Sequence, residues 1–63
     1  MARMGSLKFR LEWALNHNED VAIQDNLNYG YNVIIDGRYI NTYTKPTILK
    51  ALKEVPVKVR YLL

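Results

Sequence analysis

Tyr31-Asn32-Val33-Ile34-Ile35-Asp36-Gly37-Arg38-Tyr39-Ile40-Asn41-Thr42-Tyr43 is the stretch on which the reading of the fold turns. Two runs rich in β-branched and aromatic residues flank Asp36-Gly37, and an Asp-Gly pair supplies the two positive φ angles that a two-residue type I′ turn demands. The stretch predicts a hairpin with strands near 31–35 and 38–43. A two-residue loop sets Ile35 opposite Arg38, Ile34 opposite Tyr39 and Val33 opposite Ile40. Because side chains alternate across a strand, Tyr31, Val33, Ile35 and Ile40 are expected on one side, and Ile34, Tyr39 and Tyr43 on the other.

Downstream, Thr44-Lys45-Pro46-Thr47 opens a helix, since proline is tolerated in a first turn where its missing N–H leaves no bond unmade. Ile48, Leu49, Leu52 and Val55 recur at helical spacing, Lys50, Lys53 and Glu54 lie off that stripe, and Pro56 stops the helix, which is placed near 46–54. Val57, Val59, Tyr61 and Leu63 then alternate with other residues and predict a closing strand near 57–62.

Upstream, Leu7, Phe9, Leu11, Trp13 and Leu15 alternate with Lys8, Arg10, Glu12 and Ala14. Period-two alternation predicts a half-buried strand near 7–15, with Trp13 in the core. Residues 19–27 admit two readings. Asn18 can cap a short helix with Glu19 and Asp20 in its first turn, or Val21 to Gln24 can form a strand. The first gives a βαββαβ-like order, a small antiparallel sheet covered on one face; the second gives a meander crossed by one helix. Both are α+β, with residues 1–6 a flexible N-terminus and 7–63 one domain.

The chain of 63 residues is 49% hydrophobic and 24% charged, the balance of a folded domain. A chain this short buries only about 60% of the surface it exposes when unfolded, and without cysteine it has no disulfide to compensate. A homodimer or a bound partner is the remaining support. No apolar run approaches the roughly 18 residues of a membrane span, and the N-terminus has no apolar leader, so no membrane and a cytoplasmic location are expected.

Chemistry-bearing residues are sparse. The only serine is Ser6, and the only histidine, His17, sits among asparagines in a turn, so no nucleophile-and-base pair can be assembled from them. Asn16, Asn18 and Asp20 mimic the opening of a calcium loop, but Val21 and Leu27 stand where its glycine and bidentate glutamate belong. Gly5, Gly30 and Gly37 are too dispersed to cradle a phosphate, and Glu12, Glu19, Asp20, Asp25 and Asp36 read as solvated acids. No catalytic, cofactor-binding or metal-binding residue is expected, and no cofactor.

The net charge of +3 is uneven, with +3 over residues 1–10, −5 over 11–37 and +5 over 38–63. Pairing of the first and last strands would gather Lys8, Arg10, Lys58 and Arg60 on the sheet, with Lys50 and Lys53 on the helix beside it. Such a patch, with tyrosines to stack on bases, makes a small basic nucleic-acid-binding protein the alternative reading. Five tyrosines and one tryptophan in so short a chain favour a protein interface. The expected function is thus a non-enzymatic protein–protein interaction module, a homodimer of the class of small regulators or inhibitors of a larger host or viral protein, contacting its partner through Tyr29, Ile34, Tyr39 and Tyr43.

Overall fold

The computed structural model describes residues 6–62, so most of the N-terminal tail and Leu63 lie outside the described residues. The element order is α1 (Leu7–Asn16), β1 (Val21–Asn26), β2 (Gly30–Ile35), β3 (Arg38–Tyr43), α2 (Lys45–Glu54) and β4 (Arg60–Leu62). The class is α+β, as expected, with two helices and one four-stranded sheet. The sheet order is β3-β2-β1-β4, and it is mixed where an antiparallel one was expected, because β4 runs parallel to β1.

One element differs from the sequence reading, and one of its two open readings is decided: the 7–15 segment is helical, and the strand at 21–24 forms in place of a short helix. Residues 7–16 form a helix, not a strand. The segment contains no glycine, proline or β-branched residue and is rich in Leu, Lys, Arg, Glu and Ala, all good helix formers. Its alternation resolves into two helical stripes: Leu7, Leu11 and Ala14 are buried, whereas Phe9 and Trp13 point outward. Asn18, read as an N-cap, instead ends α1. Its φ of 59° is left-handed, and the N–H groups of Asn18 and Glu19 donate to the Leu15 and Ala14 carbonyls at 3.4 and 2.8 Å, the bonding pattern of a Schellman C-terminus. Residues 19–27 are accordingly not a helix. Val21, Ala22 and Ile23 begin β1, where β-branched side chains suit a pleated, buried surface.

The hairpin forms as predicted at its turn, with Asp36 and Gly37 both at positive φ, and Ile35 opposite Arg38 and Ile34 opposite Tyr39. A bulge between Val33 and Ile34 then shifts the register, so Val33 pairs with Asn41 and Tyr31 with Tyr43. One extra residue on β3 transfers everything beyond it to the other side. Tyr43 therefore sits with Tyr31 and packs against the core, not beside Ile34 and Tyr39.

α2 starts from Thr44 with Pro46 in its first turn, as the sequence implies, and buries Ile48 and Ala51, with Val55 buried just beyond its end. Leu49, assigned to the buried stripe, is exposed. Among the described residues the closing strand spans Arg60–Leu62, while Val57 and Val59 approach the core from outside the ladder. The core joins Leu7, Leu11 and Ala14 of α1, Val21 and Ile23 of β1, Val33 and Ile35 of β2, and Ile48 and Ala51 of α2. Both helices thus cover one face of the sheet. Among the described residues nothing covers the other.

Candidate interaction surface

The open sheet face is built by the residues that alternate away from the core. Ala22, Ile34 and Arg60 stand side by side on neighbouring strands, and Ala22 is 1% exposed because its neighbours roof it. Around them the polar side chains satisfy one another: the Tyr39 and Thr42 hydroxyls are 2.8 Å apart, the Thr42 hydroxyl donates to Asn32 Oδ1 at 2.7 Å, and Asn26 Nδ2 donates to the same oxygen at 3.3 Å. Arg60 donates twice to the Asp20 carboxylate, at 3.0 and 2.7 Å. Those bonds hold the exposed Asp20 carboxyl below the usual carboxylate range, against a smaller opposing effect of desolvation, and raise the Arg60 pKa in turn.

The expected contact residues are divided by this geometry. Ile34 and Tyr39 do lie together on the open face, Tyr29 projects from the β1–β2 turn, and Tyr43 is on the helix side. The basic residues do not gather on the sheet. Lys8 and Arg10 belong to α1, and Lys50 and Lys53 to α2, while Lys58 precedes β4. Arg10 is engaged by Glu19 at 2.9 Å and Arg60 by Asp20. Lys8 and Lys50 share a shallow groove between the helices with Thr47 and Glu54. That groove, of about 180 Å³, and a second of about 210 Å³ near Asn18 and Lys58 are smaller than the ~300 Å³ at which small-molecule pockets begin.

An exposed aromatic pair lies outside the contact residues expected from the sequence. Phe9 and Trp13, one helical turn apart, are 65% and 54% exposed on the side of α1 facing away from the core. His17 extends the ridge: its ring stacks on the Trp13 indole at 3.9 Å between centroids and 16° between planes, and its Nδ1 lies 2.9 Å from the Trp13 carbonyl oxygen. Stacking restrains the orientation of the indole. The signal was present in the sequence as an excess of apolar residues, since a ten-residue helix needs one buried stripe and this one carries two. Of the seven aromatic residues, five (Phe9, Trp13, Tyr29, Tyr39 and Tyr61) are more than half exposed.

No family model, curated protein or solved structure matches the chain. No helix among the described residues is long and apolar enough to cross a membrane.

Proposed function

We propose that the protein is a non-enzymatic protein-binding module, in the class of small regulators or inhibitors, whose principal contact surface is the outward face of α1. The observation that carries this reading is the pair Phe9 and Trp13, left exposed on a helix whose opposite stripe already fills the core. Large aromatic side chains are the residues that most often anchor protein interfaces, because they exclude much water for little lost rotamer freedom. The sheet face contributes less, since its polar groups are bonded to one another and Ile34 is its main half-buried apolar centre.

A photo-crosslinking amino acid placed at Phe9, and separately at Tyr39, tests this in the living cell. Position 9 is expected to yield a discrete protein adduct, of the chain itself or of another protein, and position 39 a weaker one or none. Absence of any adduct from position 9, with the chain expressed and folded, overturns the reading.

A further inference from the structure

We infer that Asn41 closes the outer edge of the sheet, so that β3 refuses the backbone of any further strand. β3 has no neighbour on its outer side among the described residues, and an uncovered edge strand is a template on which another chain can pair. Tyr39, Ile40, Thr42 and Tyr43 are all residues that suit such pairing.

Asn41 is the one residue of β3 that the sheet does not need. Ile34 faces Tyr39 and Asn32 faces Thr42, so two residues, Ile40 and Asn41, stand against Val33 alone. On either side of this bulge the faces are settled: the Tyr39 and Thr42 hydroxyls meet at 2.8 Å on the open face, while Ile40 and Tyr43 pack toward the core. Without Asn41, Tyr39-Ile40-Thr42-Tyr43 would alternate correctly as a regular strand, with Ile40 facing Val33 and every pairing beyond it unchanged. The Asn41 side chain is itself exposed, so core packing does not account for it either.

Its presence alters the outer edge in two ways. The two-residue turn makes Ile35 and Arg38 a hydrogen-bonded pair, which points the backbone N–H and C=O of Tyr39 away from β2. In a regular strand the next outward groups lie two residues on, about 6.8 Å away, the interval at which an incoming strand offers its own. The bulge postpones them to Thr42, three residues on and out of step with such a partner. In addition, the Thr42 N–H donates to Asn41 Oδ1 at 2.8 Å. The donor that an added strand would use is thus already answered within the chain.

Deletion of Asn41 tests the inference. The variant is expected to fold, with an unchanged circular dichroism spectrum, and to self-associate at least about tenfold more tightly than the wild-type chain in sedimentation equilibrium. Thr42→Pro placed in the deletion variant should return association to the wild-type level, because proline removes an outward donor without breaking a ladder bond. Asn41→Val, which keeps the extra residue but loses the bond, should speed exchange of the Thr42 amide and raise association less than the deletion does. A deletion variant that folds and associates no more than the wild type overturns the inference. A deletion variant that fails to fold also overturns it, since the ladder would then depend on Asn41. Extra association that Thr42→Pro leaves in place would run through another surface, and a Thr42 amide that exchanges equally fast with and without the Asn41 side chain would have no bond to lose; either result overturns it too. Comparison with the wild type at each concentration separates edge pairing from any association through α1.

Discussion

Single residues set two local geometries that no neighbour can replace. Gly30 has a φ of 123°, and a Cβ there would run into the Tyr43 carbonyl oxygen across the ladder, whereas Gly37 has a φ of 78° in open space. Gly30→Ala is expected to destabilise by about 2 kcal/mol or more, and Gly37→Ala by about 1 kcal/mol, because only the first adds a clash to the backbone penalty. Urea midpoints of the two variants, compared at equal slope, check the ranking. Asp20 gives a second prediction. Its carboxyl is lowered by Arg60, so the ion pair stabilises the fold above the unfolded-state pKa of an aspartate, and this contribution fades as pH falls through the lowered folded-state value. A carboxyl-carbon NMR titration should place Asp20 below an ordinary aspartate, and Arg60→Gln should return it to the ordinary range. An unchanged midpoint in the variant would show that the pair does not persist in solution.

At the scale of the element, α1 has two apolar sides with different duties. Leu11 is one of the most buried side chains, and Leu11→Ala is expected to destabilise by about 2–5 kcal/mol through lost burial and the cavity left behind. Phe9→Ala and Trp13→Ala should each change stability by less than about 1 kcal/mol in the dilute monomer, since both side chains are mostly in water already. Thermal or urea unfolding at low concentration measures both. Equal losses at positions 9 and 11 would mean that the outward side is covered within the chain. The hairpin, by contrast, is governed by its turn: Asp36 and Gly37 hold the positive φ angles that a right-twisted two-residue loop requires, so its strands meet wherever the rest of the chain goes.

At the scale of the molecule, β4 closes the sheet on the far side of β1 and turns β1 into an interior strand. Among the described residues three of β4 pair with β1, and Arg60 among them also clasps Asp20 forty positions earlier. Truncation after Val59 should therefore lower the urea midpoint and increase amide exchange at Ala22 to Gln24, while the β2–β3 ladder keeps most of its protection. Uniform loss of protection across all strands would show that β4 is required for the whole sheet. This arrangement also explains the half-open architecture: two helices occupy one sheet face, and the other presents side chains that bond mainly to each other.

The sequence by itself determined the α+β class, the turn at Asp36-Gly37, the helix between Thr44 and Pro56 and the extended closing segment, because proline, glycine and Asp-Gly act on their own backbone dihedrals. It also carried the pair Ile34 and Tyr39, which face each other before the bulge. Tertiary structure decided the rest. Alternation at Leu7, Phe9, Leu11, Trp13 and Leu15 is compatible with a strand or with a helix apolar on two sides; the composition favours the helix, and packing of Leu7, Leu11 and Ala14 in the core fixes it. Asn18 caps either end of a helix with equal ease, so its role depends on which side the helix forms. The bulge that moved Tyr43, and the parallel docking of β4 beside β1, arise from contacts between segments far apart in the chain, which local propensities do not encode.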